Sequence, residues 1–268
     1  MHARGRQVSR LSARLCVGVT LAVLAMLLPS KAPAQTTLRV VAYNIKHGRG
    51  MDDVVDLERI ADVLRPLNAD VITLQEVDNK TERTGGVDQV ARLAELLDMT
   101  GFHGAHRAYQ GGEYGNAILT RLPVLGDQTH SIPASAGSAL TVHEIRVATG
   151  QQGHVVSVVS VHLAGVPEER RAQADSVTSY FENTEHPVVL AGDFNSRPGD
   201  VVMRRLDAKW TVVPKDGDPN TFPSDAPDRE IDFVMLRHSE AFEIVEHRVI
   251  DERMASDHRP ILIVLRLW

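Results

Sequence analysis

The sequence feature that most constrains the fold is the octapeptide Val188-Val189-Leu190-Ala191-Gly192-Asp193-Phe194-Asn195. Its first four residues are apolar and two are β-branched, which predicts a buried strand. Gly192 ends the apolar run, and Asp193 and Asn195 would project to the same side of an extended chain. Ligands commonly bind at the carboxyl end of such a strand. Because Asp and Asn also begin ordinary turns, the octapeptide alone leaves both interpretations open.

Residues 1–34 have the pattern of a secretory signal peptide. The basic beginning contains no acidic residue and has four arginines, Arg4, Arg6, Arg10 and Arg14. An apolar run at 15–28 is followed by Ala32-Pro33-Ala34, which resembles a cleavage site. A membrane anchor is the weaker alternative, because this run is shorter than the roughly 20 residues that span a bilayer. We therefore expect cleavage near Ala34, a secreted or periplasmic domain at 35–268, and no integral membrane segment in it.

The charge of the chain constrains its partners. The 29 basic and 35 acidic residues give a net charge of −6. Residues 1–34 hold five of the basic and none of the acidic residues, so residues 35–268 carry 24 − 35 = −11. Sequence-independent binding to nucleic acid depends on Lys and Arg contacts to phosphate, so a nucleic-acid partner is conceivable but not favoured. The single cysteine, Cys16, lies within the predicted signal, and the mature chain can form no disulfide.

Hydrophobic periodicity predicts one domain that contains both strands and helices. Strands are predicted at 37–45, 71–77, 117–125, 139–148, 155–163, 188–191, 231–236, 242–249 and 260–265. Helices are predicted at 54–64, 87–97 and 167–181, with a short fourth helix after Pro198. Strands follow one another in the middle of the chain, while helices interrupt them early and late. This order predicts an α/β (α+β) protein with two mixed sheets packed face to face and helices outside.

Polar side chains recur at the ends of these predicted strands. They are Asn44, Glu76, His162, Asp193, Asn195, Asp232, Asp257 and His258. Each has a structural explanation by itself, but their shared location indicates one site. Oxygen ligands without cysteine suit a hard cation, Mg²⁺ first, with Mn²⁺ or Ca²⁺ as alternatives. Histidines beside carboxylates can act as acid, base or charged clamp. The set predicts metal-assisted attack of water on a phosphate ester.

Several motifs in the same order resemble those of the endonuclease/exonuclease/phosphatase superfamily, whose fold is like that of deoxyribonuclease I. They are Asn44 after a strand, Gln75-Glu76-Val77, Gly115-Asn116-Ala117-Ile118-Leu119, Val161-His162, Gly192-Asp193-Phe194-Asn195, Ile231-Asp232, and Ser256-Asp257-His258-Arg259-Pro260. The combination of Gly-Asp-Phe-Asn with Ser-Asp-His is the most specific part. The resemblance implies a four-layer sandwich, in agreement with the strand pattern.

The resemblance also implies roles for individual residues. Metal binding is implied for Glu76, Asn44 and Asp257. Catalysis is implied for His258, Asp193, Asp232 and His162. Contact with the substrate phosphate is implied for Asn195 and Asn116, and is suggested for Tyr114 and His47. Asp193 would orient or deprotonate the attacking water. His258, oriented by Asp232, would stabilise the developing charge or act as acid or base. Tyr114 could equally be a packed tyrosine, and His47 a solvated loop residue.

Two basic residues near these motifs, Lys46 and Arg83, are candidates for contact with phosphate. Lys46 stands where abasic-site nucleases of the superfamily often have an acid, so it can bind phosphate but not a metal. Arg83 begins the stretch Arg83-Thr84-Gly85-Gly86, which is either a phosphate contact or a flexible connector.

The short, exported branch of the superfamily resembles this chain most, and it is similar to domains that remodel glycosylphosphatidylinositol anchors. The function we predict is an exported metal-dependent phosphoesterase that acts on a lipid head group or another small phosphodiester. We expect it to be a monomer. A secreted DNA or RNA nuclease and a non-catalytic phosphoester-binding module are the alternatives. Whether the substrate is a monoester or a diester stays open at this point.

Overall fold

The computed structural model describes residues 1–2, 36–134, 140–150 and 153–268. The chain divides into two units, Met1–Pro33 and Ala34–Trp268. The predicted signal peptide and its cleavage site lie outside the described residues, apart from residues 1–2, so export stays a prediction. Within the described ranges, no helix is long and apolar enough to cross a membrane. The fold presented below is that of the second unit.

Twelve strands in the described residues form two six-stranded sheets. The first sheet contains β1 (Thr36–Asn44), β2 (Val71–Asn79), β3 (Thr100–Tyr109), β4 (Gly112–Thr120), β11 (Phe242–Val249) and β12 (Ile261–Leu267), in the order β11-β12-β1-β2-β4-β3. The second contains β5 (Val124–Ile132), β6 (Leu140–Thr149), β7 (His154–His162), β8 (Val188–Asp193), β9 (Thr211–Val212) and β10 (Asp232–Arg237), in the order β5-β6-β7-β8-β10-β9. Most neighbouring strands are antiparallel, but β1–β2 and β7–β8 are parallel.

Four α-helices in the described part of the chain lie on the outer faces of the sheets. They are α1 (Leu57–Leu64), α2 (Gln89–Leu97), α3 (Pro167–Phe181) and α4 (Val201–Asp207). The side chains of Asp56 and Asp88 cap α1 and α2 by accepting hydrogen bonds from backbone N–H groups in the first turn. Short 3₁₀ turns lie at Lys46–Gly48, Arg65–Leu67, Glu82–Thr84 and Ser239–Ala241.

The core is arranged in layers that follow the alternation of side chains along each strand. In β1, Val40 and Ala42 pack between the two sheets, whereas Val41 and Tyr43 pack under α1 and α2. In β7, alternate residues likewise face the other sheet or the helices α3 and α4. The result is a helix–sheet–sheet–helix sandwich, which confirms the predicted fold class.

The two parallel strand pairs position the polar residues. A parallel connection needs a crossover, and here α1 lies between β1 and β2 while α3 lies between β7 and β8. Parallel neighbours end at the same edge, so Asn44 is paired with Gln75 and His162 with Asp193. Gln75 Nε2 donates to Ser160 Oγ at 2.9 Å, which joins the two sheets beneath this edge.

The structure corrects some predicted elements. The single strand predicted at 117–125 is two strands, β4 and β5, because the chain turns at 121–123 around Pro123. The predicted helix at 54–64 begins only at Leu57, since residues before Asp56 form a loop. Strand β3 was not predicted, because its Gly- and His-containing sequence lacks apolar alternation at the edge of the sheet.

Candidate active site

Asp193 is the buried carboxylate at the centre of the site. Asn195 N donates to Asp193 Oδ1 at 2.8 Å, and Asn44 Nδ2 donates to Oδ2 at 3.2 Å. The preceding Gly192 has φ +146°, and a Cβ at this position would lie 2.1 Å from Val161 O. Only glycine lets β8 pass this close to β7, so the chain delivers Asp193 to the strand end without a clash. Burial raises the pKa of Asp193, and the charge of His258 opposes that shift.

Glu76 joins the site through a break in strand β2. A β-bulge between Leu74 and Val77 places Glu76 at φ +57°, a left-handed conformation that non-glycine residues rarely adopt. Bulges of this kind re-aim side chains and are common beside active sites. Asn44 Nδ2 donates to Glu76 Oε1 at 3.2 Å as well as to Asp193. Asn44 therefore links the carboxylates supplied by the two sheets.

His258 and Asp232 form a buried pair next to Asp193. Asp232 Oδ2 lies 3.0 Å from His258 Nδ1 and accepts a hydrogen bond from Thr221 Oγ1 at 2.5 Å. The other ring nitrogen of His258, Nε2, lies 3.7 Å from Asp193 Oδ2. Burial alone would lower the pKa of His258, but the charges of Asp232 and Asp193 outweigh it and raise this pKa to about 10. The imidazole is thus held as a cation between two carboxylates.

His162 and Asn195 complete the rim around Asp193. His162 Nε2 lies 3.6 Å from Asp193 Oδ2, and His162 Nδ1 is buried without a hydrogen-bond partner among the described residues. Asn195 Nδ2 donates to Leu163 O at 2.9 Å, and the backbone of Asn195 is left-handed at φ +48°. Both side chains are partly exposed, so both can meet a ligand that approaches the strand ends.

Asn116, for which the resemblance implies a phosphate contact, lies beneath the rim of the site. Asn116 is fully buried, and its amide nitrogen donates to Thr141 O and Ser160 O at 3.3 Å each. That arrangement makes Asn116 a bridge between the sheets beneath the rim rather than a free donor. The phosphate contact assigned to it stays a prediction.

Tyr114 packs among aromatic and cationic neighbours beside Glu76. Burial raises the pKa of its hydroxyl, and the nearby Glu76 adds to that shift. The ring lies under the guanidinium groups of Arg83 and Arg107, 5.5 and 5.1 Å from its centroid. Arg83 itself makes two 2.7 Å hydrogen bonds to the buried Asp78. Arg83 is therefore a fixed part of the wall beside Tyr114, and the flexible-connector interpretation does not describe it.

His47 lies in the turn that follows β1. Burial lowers the pKa of His47, Arg83 lowers it further, and Asp78 and Glu76 oppose the shift. These interactions place the imidazole within electrostatic reach of Glu76. His47 Nδ1 is buried and has no partner among the described residues, so His47 belongs to the surroundings of the site.

Asp257 is engaged by Lys46 on the same side of the site. Lys46 Nζ lies 2.9 Å from Asp257 Oδ2, and both side chains are partly exposed. The backbone around Asp257 is fixed by Ser256, whose Oγ donates to Asn44 O at 2.7 Å. Lys46 thus neutralises the carboxylate that the sequence assigns to the metal.

Comparison with known proteins identifies the family. The profile of the Endonuclease/Exonuclease/phosphatase family matches residues 41–258, which include every strand-end residue described above. The chain belongs to this family.

Individual relatives are similar to this chain over most of its length. The uncharacterized protein YbhP of Escherichia coli K12 is 24% identical over 249 residues, covering 87% of this chain and 98% of the relative. An endonuclease/exonuclease/phosphatase from Beutenbergia cavernae has a TM-score of 0.72 and 26% identity, covering 87% of this chain and 72% of that one. A mannosyl-6-phosphatase from Bacteroides thetaiotaomicron has the same fold at 16% identity, with a TM-score of 0.68, covering 85% and 99%. Family members are generally hydrolases of phosphoester bonds, and such enzymes typically use a divalent cation.

The side chains around Glu76 fit a hard cation. Glu76 accepts a hydrogen bond from Asn44 on one oxygen, and no Lys or Arg pairs with it in the part of the chain that the structure describes. A partly exposed carboxylate without a counter-charge is a suitable ligand for Mg²⁺. Asp193, Asp232 and His258 also come within 4.8 Å of one another. Both ring nitrogens of His258 face carboxylates, however, which favours an acid–base unit over a metal site.

The residue that supports this acid–base unit from behind was not predicted from the sequence. Thr221 fixes the carboxylate of Asp232, but it lies in a long irregular loop that has neither periodicity nor a recognisable motif. Ser160, which receives the bond from Gln75, was also missed because its role depends on the opposite sheet.

Proposed function

We propose that this protein is an exported, metal-dependent phosphoesterase that hydrolyses a small phosphodiester, with a lipid head group as the favoured substrate class. One observation carries the proposal: hydrogen bonds and short contacts join Glu76, Asn44, Asp193, His258 and Asp232 into one group at the rim of both sheets. This group contains a carboxylate that can bind a cation, Glu76, a carboxylate that can act as general base, Asp193, and a histidine that can donate a proton, His258.

The metal side of the site would be Glu76, with Asn44 and Asp257 beside it. A bound Mg²⁺ would supply charge neutralisation for the phosphate oxygens. Glu76 would hold the cation, while the amide of Asn44 would keep Glu76 and Asp193 in a fixed relation. Lys46, paired with Asp257, adds a positive charge on the same side.

The acid–base side of the site would be Asp193, His258 and Asp232. Asp193 would orient the attacking water and accept its proton as the new P–O bond forms. His258 would stabilise the negative charge on the phosphate and give a proton to the leaving oxygen as the old P–O bond breaks. Asp232 would orient the imidazole through Nδ1, and His162 and Asn195 would hold the phosphate.

Two observations bear on the substrate. The acidic balance of the chain gives little support for broad contacts to nucleic acid, so a DNA or RNA nuclease is the second candidate. The fold also accommodates monoesters, since the mannosyl-6-phosphatase of Bacteroides thetaiotaomicron shares it. We propose a diester as the substrate class, and because protonation of the leaving oxygen by His258 serves both ester types, the test includes a monoester.

The test is hydrolysis of bis-p-nitrophenyl phosphate and p-nitrophenyl phosphate with Mg²⁺, Mn²⁺, Ca²⁺ or EDTA. We expect turnover of the diester that needs a divalent ion and is lost in EDTA. A folded protein that hydrolyses neither ester with any ion would refute the enzymatic proposal and favour the non-catalytic binding module. A plasmid-nicking assay at low salt distinguishes the nuclease, since efficient nicking would replace the small-diester substrate class.

The location outside the cytoplasm rests on the residues before the fold. Expression of the full chain with a carboxyl-terminal tag, followed by fractionation and amino-terminal sequencing, tests it. We expect a mature chain that begins near Gln35. An uncleaved chain retained in the cytoplasm would contradict export.

A further inference from the structure

A pocket of about 330 Å³ opens directly beside the catalytic group. His258 and Asn195 line it, and the scissile phosphate would lie against them under the proposed function. The rest of its lining includes Phe222 and three arginines, Arg170, Arg197 and Arg229. Phe222 connects the two parts, because its ring centroid lies 4.9 Å from that of His258.

Arg170 is held in place with unused hydrogen-bonding capacity. It extends from α3, and its Nη1 donates to Ser196 Oγ at 3.1 Å, next to Asn195. Its Nε is buried and has no acceptor among the described residues. A buried guanidinium N–H without an acceptor is costly, so an anionic ligand at this point would satisfy it.

The other two arginines enlarge the positive charge of this lining. The guanidinium of Arg197 has no hydrogen-bond or ion-pair partner in the described part of the chain. Arg229 stacks on Phe222 at 4.8 Å and pairs with Asp228 through Nε. Asp200 is the single carboxylate that lines the pocket, and it accepts a hydrogen bond from the backbone N–H of Arg197. Asp228 offsets the charge of Arg229, so Arg170 and Arg197 are the two lining guanidinium groups that have no ion pair among the described residues, in a chain whose net charge is −6.

We propose that this pocket binds a second phosphate group of the substrate, one that is not hydrolysed, through Arg170 and Arg197. The inference rests on the proposed function, because it places the scissile phosphate at His258 and Asn195. Arginine is suited to such a contact since its planar guanidinium can donate two parallel hydrogen bonds to phosphate. The substrate class is then a phosphodiester that carries an additional phosphate on the group bound beyond Asn195.

The test compares two chromogenic diesters, thymidine 5′-(p-nitrophenyl phosphate) with and without a 3′-phosphate. The nucleoside serves as a spacer, and the 3′-phosphate is the only difference. We expect the wild-type kcat/KM to be at least about tenfold higher for the bisphosphate, which corresponds to one charge-assisted contact. In Arg170→Gln/Arg197→Gln this preference falls to less than about twofold, mainly through KM. Arg171→Gln, which removes one positive charge at the neighbouring residue of α3, retains the preference.

A second measurement separates failure of the pocket from failure of the proposed function. Calorimetric titration in EDTA with thymidine 5′-phosphate and thymidine 3′,5′-bisphosphate requires no turnover. Tighter binding of the bisphosphate by wild type and Arg171→Gln, lost in the double variant, supports the pocket even if neither diester is hydrolysed. Equal affinities, no binding of the bisphosphate, or an equal loss in Arg171→Gln would overturn the proposal.

Discussion

Glu76 is unusual in its backbone conformation and in the absence of a positive charge paired with its carboxylate among the described residues. Its left-handed conformation costs about 1–2 kcal/mol for a residue with a Cβ, and its carboxylate has no cationic partner among the residues described. Strained residues of this kind persist where the surrounding structure holds them, and they cluster at active sites. The bulge in β2 therefore supports the proposal that Glu76 binds a ligand.

The first prediction concerns this carboxylate. Glu76→Gln keeps the shape and the contact with Asn44 but removes the negative charge. We expect divalent-ion-dependent diester hydrolysis to fall by about 100-fold or more. Even the loss of a residue that only hydrogen-bonds to a metal ligand reduces metal affinity or activity by about 10–100-fold. Urea unfolding should show a fold that is unchanged. Glu113→Gln, which removes an exposed carboxylate from the neighbouring strand β4, is the control, and equal effects of the two variants would contradict the metal role.

The second prediction concerns the pair formed by His258 and Asp232. Each single change, His258→Asn or Asp232→Asn, should reduce kcat by about 10²–10⁴-fold, the range for a general acid–base group and its orienting partner. Because the two residues act as one unit, the double variant should be no slower than the slower single variant within about threefold. Multiplicative losses in this cycle would mean that Asp232 and His258 act independently.

At the scale of elements, the close approach of β7 and β8 is the feature that shapes the site. Val161 O would lie 2.1 Å from any Cβ at position 192, so the backbone of β8 fits only with glycine. The same strand supplies Asp193 and pairs with Asp232 at the start of β10. A shift of β8 would therefore move both carboxylates that face His258.

The third prediction follows from this approach. Gly192→Ala should lower the free energy of unfolding by about 3 kcal/mol or more, because a clash with backbone adds to an unfavourable φ. Gly199→Ala is the matched control. Its φ is +83° but nothing lies within 4 Å of the added Cβ, so only about 1–2 kcal/mol should be lost. Urea unfolding of both variants measures the difference, and equal losses would show that the contact with Val161 O relaxes freely.

At the scale of the whole molecule, a buried histidine to which no catalytic role is assigned affects acid stability. His247 in β11 is buried, its Nδ1 lies 3.1 Å from Pro214 O, and its Nε2 has no partner among the described residues. Burial lowers the pKa of His247 to about 4, with Lys215 adding to the effect and Asp216 opposing it. The unfolded chain, with an ordinary histidine pKa near 6.5, binds more protons than the folded chain below that pH.

The fourth prediction is the resulting pH dependence. The contribution of His247 to the free energy of unfolding is complete above about pH 6.5. It falls by about 3 kcal/mol as the pH decreases toward 4, because the unfolded chain takes up a proton that the folded chain does not. His247→Gln keeps a donor for Pro214 O and cannot titrate, so its free energy of unfolding should decline less steeply over that range. Between pH 7.5 and 8.5 the two proteins should differ by a constant amount. Parallel curves down to pH 4 would show that His247 is protonated in the folded state.

Local patterns predicted the layers and the strand-end residues well. The alternation in β1 and β7 is a property of a few consecutive residues, and burial of one face is the same wherever the strand lies in the sheet. The same reasoning failed for β3 and for the boundary between β4 and β5. An edge strand such as β3 needs little apolar alternation, and a turn at Pro123 interrupts a run that is apolar on both sides.

The sequence by itself determined the two-sheet architecture, the family, and the set of residues from which a site could be built. The tertiary structure decided which of them touch. The hydrogen bond from Asn44 to Asp193 joins residues 149 positions apart, and the pairing of Lys46 with Asp257 and the three-arginine pocket likewise depend on how distant loops meet. Periodicity is set by neighbours along the chain, whereas these contacts are set by the packing of one sheet on the other, which no short stretch of sequence encodes.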